Sequence, residues 1–484
     1  MPTAIWWIRR DLRLNDNPAL NAAVKHGRLV PVFINDPAIT RGRMHGSATR
    51  RRDFLMAGLS SLDADLQARG ARLVLRTGPP EQVLRDLVSE TGADLIVAGE
   101  DFTPYARSRD ARVQRALPLR LVEGATVHHP LAVKKADGGA YTVFTPFSKA
   151  WLALPVGGLL DPGPNRLAEP DATLSSEVVP HTAAPTGFPA SEAEARRRLI
   201  AFAKGGDPAI GRYKAERDLP GREGTSKLSP YLRFGLISAR EAAAVARESI
   251  TTARDPAAAQ GAQTWLNELI WREFYLSIVY HYPDVLERAF NPTLREIAWR
   301  DAPDDLAAWK AGQTGVPIVD AAMRQLAETG WMHNRARMIV ASFLVKDLLI
   351  DWRLGEQWFM DQLVDGDPAA NNGGWQWTAG VGTDAAPYFR IFNPVLQSRK
   401  FDPSGAYIRR YVPELAELSD EAIHEPWTLT PLEQRAKGIS AGETYPAPIV
   451  DRPQARERVL RAYQAARDRH QAPPDKTSRQ KPFR

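Results

Sequence analysis

The sequence predicts an α/β architecture: an N-terminal, five-stranded, doubly wound parallel sheet domain, a long linker, and an all-α domain. Three observations predict it. Short apolar runs alternate with amphipathic stretches across residues 1–130, the pattern of a parallel sheet covered on both faces. Residues 131–195 are rich in Pro, Gly, Ala and Thr with weak periodicity, as in an interdomain linker. From residue 196 to 470 strand signals nearly vanish, helical patterns dominate, and ten of the 13 tryptophans fall between 265 and 427.

The elements follow in order. Residues 5–8 read as a buried strand, and Asn17-Pro18 opens a helix with Pro at its first position. Residues 29–34 read as a second strand. A long helix follows, with Leu55, Leu59, Leu62 and Leu66 on one face. Then come a strand at 72–76, a helix at 81–91, a strand at 94–98, a helix at 107–116 and a strand at 119–127. Such sheets bind ligands at the carboxyl ends of their strands. No GxGxxG follows the first strand and no GxxxxGK[ST] occurs, which excludes an ordinary nicotinamide-dinucleotide or P-loop domain. The turn RRDLRLNDNPAL carries charge where those domains carry glycine. In the second domain, helices are predicted at 191–203, 239–250, 261–280, 318–329, 334–350 and 355–362.

Bulk properties narrow the function. The chain of 484 residues is 44% apolar and 25% charged, as expected for a globular protein of two or three domains. No run of 18 apolar residues or signal peptide is evident, so a cytoplasmic location is expected. There are no cysteines, which removes disulfides, thiolate metal sites and cysteine nucleophiles. No metal motif is present; His128-His129 reads as structural. The net charge of +6 is compatible with a polyanionic partner without demanding one. The basic tail 471–484 is expected to be disordered.

Residues 365–393 concentrate the chemistry. Asp365, Asp367, Asn371, Asn372, a Gly pair, Trp375 and Trp377 crowd together and match neither a helix nor a strand template. The stretch reads either as a concave site for a flat, polar ligand or as a buried irregular connection. In the helix at 261–280, Trp265, Glu268, Arg272 and Tyr275 share one broad face with Trp271 beside them. That face reads as a cavity wall or as an interface with a neighbouring helix. In GTSKLSPYLRFG, the hydroxyls of Thr225, Ser226 and Ser229 are either helix caps or part of a phosphate cradle. Arg337, in WMHNRARM, needs a buried anion if it faces inward, and Asp365 or Asp367 would serve.

Taken together, WWIRRDLRLNDNPAL, TSKLSPYLRFG, WLNELIWREFY, WMHNRARM, DGDPAANNGGWQW and DAAPYFRIFNP closely resemble the DNA photolyase/cryptochrome family. They occur in the family's order over residues 3–465. They are most like a bacterial class I cyclobutane pyrimidine dimer photolyase. The resemblance implies FAD, active as FADH⁻, and light-driven electron transfer to a flipped-out dimer in ultraviolet-damaged DNA. A cryptochrome-type blue-light sensor without repair activity is the alternative.

By that resemblance, FAD would be held by Tyr213, by Thr225, Ser226, Lys227, Leu228 and Ser229, by Trp265, Arg272, Asn334 and Arg337, and by Asp365, Gly366, Asp367 and Asn371. Asn371 would face flavin N5, and Arg337 would pair with Asp365. Glu268, Trp271, Arg272, Tyr275, Asn334, Met338 and Trp377 would line the lesion pocket. Arg335, Arg390 and Lys400 would contact phosphate. Trp375, Trp352 and Trp299 would relay electrons, although their spacing equally fits core tryptophans. A second, antenna chromophore (folate, deazaflavin or flavin) would sit in the first domain. Ala106 stands where folate-binding members carry Glu, which weighs against a folate. The family expectation is a monomer with no obligate protein partner.

Overall fold

The computed structural model describes residues 2–41, 49–160, 163–167, 174–185, 187–387, 389–439 and 442–471. The expected basic tail therefore lies almost wholly outside the described residues. In the first domain, β1 (Thr3–Ile8), β2 (Arg28–Asn35), β3 (Val74–Thr77), β4 (Leu95–Gly99) and β5 (Leu119–Val122) form one parallel sheet in the order β3-β2-β1-β4-β5. Between them run α1 (Pro18–His26), α2 (Pro37–Arg41), α3 (Thr49–Gln67), α4 (Pro80–Thr91) and α5 (Pro104–Ala116). Every residue of β1 is buried, as a central strand covered on both faces requires. The order reverses between β1 and β4, which opens a crevice at their carboxyl ends.

The last strand is shorter than the predicted 119–127: it ends at Val122, and the backbone bends over residues 125–128. Within the stretch read as linker, α6 (Phe144–Ala153) buries Phe147 and Trp151 against the second domain. The indole of Trp151 donates to the buried carboxylate of Glu273 at 2.6 Å.

The second domain is helical throughout its described residues. Its helices are α7 (Glu192–Ala203), α8 (Ala209–Glu216), α9 (Ser229–Phe234), α10 (Ala239–Thr251), α11 (Pro256–His281), α12 (Pro303–Ala311), α13 (Pro317–Thr329) and α14 (Asn334–Ser342). They continue with α15 (Trp352–Gln362), α16 (Pro368–Ala379), α17 (Pro394–Phe401), α18 (Ala406–Tyr411), α19 (Pro431–Ala436) and α20 (Arg452–Gln471). The helix predicted at 334–350 stops being α-helical at Ser342 and passes into a π-helical turn, Phe343–Asp347.

One loop locks the domains together. After β1, Arg10 Nε donates to the Arg233 carbonyl, Arg13 Nη1 to that of Gly235, and the Leu12 amide to that of Phe234. Gly235 is obligatory here: its φ is +67°, and a Cβ would lie 2.0 Å from the Arg10 carbonyl oxygen. The charged turn that replaces a glycine loop is thus a docking element. Apolar residues of both domains, among them Trp6, Phe54, Tyr231 and Trp265, form one continuous core.

Candidate functional site

Helix α16 organises the site and corrects the sequence reading, which found neither helix nor strand in this stretch. Asp367 is its N-cap, accepting from the amides of Ala369 and Ala370 at 3.0 and 3.3 Å, and Pro368 occupies the first turn. Gly380, at φ +77°, closes the far end. These caps overcome the poor propensity of two Asn and two Gly. Trp375 and Trp377, two residues apart, therefore point about 200° apart around the axis. Trp375 is buried and Trp377 half-buried. Gly373 lets Tyr275 of α11 lie flat against α16, since a Cβ there would meet its ring at 2.1 Å. Gly374, by contrast, faces open space. Asn371 donates to the Glu356 carbonyl at 3.0 Å.

At the N-terminal end of α16 the charges are paired. Arg337 Nη2 contacts both Asp365 oxygens, at 3.1 and 2.8 Å, and Ser229 Oγ donates to the same carboxylate at 2.6 Å. Of the two anions considered for Arg337, the structure selects Asp365. Asp367 instead faces Arg10 at 2.6 Å and Arg233 at 3.6 Å. Burial alone would raise the Asp367 carboxyl; Arg10, Arg233 and Arg272 more than reverse this and hold it at about 2. The Gly366 carbonyl accepts from Arg233 Nε at 2.9 Å.

Segment 225–229 turns through Lys227 at φ +51° and leads into α9. Leu228 occupies the N-cap position, and no side chain caps this helix. The hydroxyls of Thr225 and Ser226, which are half-buried, are thus not spent on capping α9. Lys227 pairs with Glu223 at 2.6 Å and lies over the Trp331 ring. Tyr213 is buried against Phe202, which also packs on Trp265; both aromatics therefore belong to the core behind the site. Arg272 donates to the Ala125 carbonyl, bridging α11 to the α/β domain.

On α11, Glu268 and Trp271 are half-buried. Burial raises the Glu268 carboxyl, opposed by the adjacent Arg217, whose Nη1 is hydrogen-bonded to it. Trp271 stacks face to face on Phe144 of α6, with centroids 3.7 Å apart and planes 3° apart. Asn334 is exposed on α14, and its amide lies 3.9 Å from the Met338 sulfur. Of the expected phosphate contacts, Arg390 and Lys400 are exposed and have no acidic partner among the described residues. Arg335 is instead paired with Asp218.

The three tryptophans expected to relay electrons share one core cluster: Trp375 and Trp352 are buried in it, and Trp299 packs on it, edge-on to Tyr463. Gly355 of α15 admits the Trp375 ring, since a Cβ would sit 2.1 Å from its Cη2. Trp352 lies one turn earlier on that face of α15. Sequence reasoning missed two ring neighbours of Trp375, namely Phe359 at 5.0 Å and Trp309 at 6.1 Å. It also missed Arg10, Arg217, Arg233 and Phe144. Arg10 and Arg233 lie in motifs quoted above, but their partners are too distant in sequence to be inferred.

A crevice opens at the sheet's carboxyl end. Arg9, Arg10, Glu100, Asp101, Glu123 and Arg272 are among its lining residues. Ala106 is buried in α5, and Arg109 lies over Trp7. His129 pairs with Glu100 and His128 packs on Trp151. Among the described residues, no group of three or more His, Asp or Glu suits a metal ion, and no helix is long and apolar enough to cross a membrane.

Residues 4–165 match the family model for DNA photolyase, and residues 265–465 that for the FAD binding domain of DNA photolyase. The deoxyribodipyrimidine photo-lyase of Agrobacterium fabrum is 41% identical, over 96% of this chain and 98% of that protein. The chain belongs to the DNA photolyase family. The deoxyribodipyrimidine photo-lyase of Escherichia coli is 40% identical, over 96% of this chain and 99% of its own length. Among solved structures, a class III photolyase from Agrobacterium tumefaciens superposes with a TM-score of 0.90 at 39% identity, covering 97% of this chain and 98% of its own. The motifs lead to the expectation of a class I enzyme, whereas this neighbour is a class III one. A Synechocystis cryptochrome superposes with a TM-score of 0.87 at 30% identity, over 96% and 99% of the two chains. A Sulfolobus tokodaii photolyase with two FAD molecules gives 0.81 at 30%, over 96% and 100%.

FAD is therefore the cofactor, and the residues present fit it. The open face at Gly374 leaves room for a flat ring system beside Asn371. The Asp365–Arg337 pair offers both signs of charge, and the hydroxyls of Thr225 and Ser226 are not used in capping. Arg233 Nη1 is a buried donor without a hydrogen-bond partner, within reach of the same end of the site.

Proposed function

We propose that the protein is a light-driven deoxyribodipyrimidine photolyase that splits cyclobutane pyrimidine dimers in ultraviolet-damaged DNA. One observation carries the reading: α16, which bears Asn371 and half-buried Trp377, packs against both α11, with half-buried Glu268 and Trp271, and α14, with exposed Asn334. Reduced FAD, when bound, supplies a light-excited electron to the lesion. The remaining work falls to the chain.

Trp271 and Trp377 offer aromatic faces to a flipped dimer. Trp271 is held rigid by its stack on Phe144. Glu268 hydrogen-bonds a base edge; burial raises its carboxyl and the adjacent Arg217 opposes that rise. Asn371 is a neutral amide beside the flavin; it hydrogen-bonds without supplying a ready proton. Tyr213, the 225–229 segment, Trp265, Arg272, Asn334, Arg337 and the 365–367 turn hold the cofactor. Trp375, Trp352 and Trp299 connect it to the surface. Arg335, Arg390 and Lys400 receive phosphate. The electron returns after the two C–C bonds break, so the reaction is that of a lyase with no net redox change.

The crevice between β1 and β4 is proposed as the antenna site; Ala106 weighs against a folate there. A monomeric, cytoplasmic protein is the accompanying expectation. The photo-lyase relatives at 40–41% identity, against 30% for the cryptochrome, favour repair over sensing. The test is restoration of irradiated oligothymidylate by the reduced, FAD-loaded protein. Restoration only under light is expected. Equal activity in darkness overturns the proposal, and none in light turns it toward the sensor.

A further inference from the structure

Four residues alternate in charge across the end of α8, α11 and α14. Arg217 Nη1 is hydrogen-bonded to Glu268, Arg217 Nε lies 3.9 Å from Asp218 Oδ1, and the same oxygen lies 2.9 Å from Arg335 Nη2 and 3.2 Å from its Nε. Arg217 and Asp218 form the turn leaving α8, while Arg335 stands in the first turn of α14. The Arg335 guanidinium is also held over the Phe401 ring, 4.4 Å from its centroid. Its side chain is 15% exposed, whereas Arg390 and Lys400 are exposed without acidic partners among the described residues. Both guanidinium nitrogens converge on one carboxylate oxygen, a contact that a single phosphate oxygen could equally accept.

We infer that Asp218 is an intramolecular stand-in for DNA phosphate on Arg335, so that this cation is exchanged from carboxylate to DNA, not simply offered to it. The inference rests on the proposed role of Arg335 as a phosphate contact. Its consequence lies in counterions. When a free cation such as Arg390 meets a phosphate, one condensed counterion is released. When Arg335 leaves Asp218 for a phosphate, the stranded carboxylate takes up a cation, and the two changes nearly cancel. Asp218 thereby lowers the affinity for any backbone, damaged or not, and weakens the salt dependence.

The experiment is a double-mutant cycle on FAD-loaded, full-length protein. It measures binding to an undamaged random-sequence duplex and to irradiated oligothymidylate across a salt series, with FAD content as the folding control. Asp218→Asn should bind both DNAs about threefold more tightly or better, with a salt slope steeper by about one. In the Asp218→Asn background, adding Arg335→Gln should remove that gain and that slope. Asp218→Asn with unchanged affinity and slope overturns the inference. A gain that persists in Arg335→Gln also overturns it, because the effect is then long-range charge. If Arg335→Gln changes nothing even in the Asp218→Asn background, Arg335 does not touch phosphate, and it is the underlying reading that fails.

Discussion

Arg10 Nη2 lies 2.6 Å from Asp367 Oδ2, joining the loop after the first strand to the N-cap of helix α16 across 357 positions of sequence. The same guanidinium also faces Asp101 at the end of β4, 3.6 Å away. One side chain therefore ties the crevice of the α/β domain to the proposed cofactor site of the helical domain. The pair is half-buried and Asp367 keeps Arg233, so removing Arg10 should cost less than the roughly 3–5 kcal/mol of a fully buried pair. Arg10→Gln should lower the denaturation midpoint and the FAD-to-protein ratio together. A full FAD complement at wild-type stability would show that Arg233 and Arg272 suffice for Asp367.

Trp299→Phe should block photoreduction of oxidised flavin yet leave repair by already reduced protein intact. The ring packs at the edge of the core cluster. Absorption under steady blue light, followed by a repair assay after chemical reduction, separates the two. Loss of both activities would remove Trp299 from the relay.

Gly355→Ala should disturb the relay from outside it. A Cβ at that position would lie 2.1 Å from Trp375 Cη2, so the indole must shift. Overpacking of this kind costs about 1–3 kcal/mol. Slower flavin photoreduction, with a lowered melting temperature, is the expected pair of results. Unchanged photoreduction would place the electron path elsewhere.

Arg390→Ala should weaken DNA binding and flatten its salt dependence by roughly one counterion. Arg390 is exposed and has no acidic partner among the described residues, so no carboxylate offsets the loss. A salt titration of binding checks this, and an unchanged slope would strike Arg390 from the phosphate contacts.

His333 gives the fold a pH dependence. Burial lowers the imidazole to about 4, with Asp218 opposing and Arg335, Arg337 and Arg217 assisting. Its Nδ1 accepts from the Arg335 amide at the N-terminus of α14, and its Nε2 has no hydrogen-bond partner. The unfolded chain binds the proton first, so this contribution is complete above pH 6.5 and lost as pH falls toward about 4. The loss is about 3 kcal/mol by linkage. His333→Asn keeps a capping acceptor and should flatten denaturation midpoints over that window; an unaltered pH profile would mean that other groups govern it.

The sheet and most helices were legible because their apolar residues recur at the period of one exposed or two buried faces. The parallel order around β1 follows from buried runs such as IWWI. Helix α16 was not legible: Asn and Gly pairs depress helix propensity, and Trp375 and Trp377 face opposite ways, which erases the period. Its caps, Asp367, Pro368 and Gly380, were the available signal. Helix α6 hid for a related reason, since Thr145 and Pro146 resemble linker composition. The Asp365–Arg337 pair could be narrowed to two anions from sequence, and packing chose between them. Phe144 on Trp271 and Arg10 on Asp367 depend on how the two domains dock, which no local pattern encodes.

The opposed tryptophans of α16 also bear on how this segment can vary. A substitution alters one face of the helix and leaves the others where they were. An inserted or deleted residue between Asn371 and Trp375 would rotate everything downstream by about 100°. The buried indole would then swing out of the core, and Trp377 would turn away from the pocket. Changes of residue type are therefore far easier to accommodate in these twelve positions than changes of length.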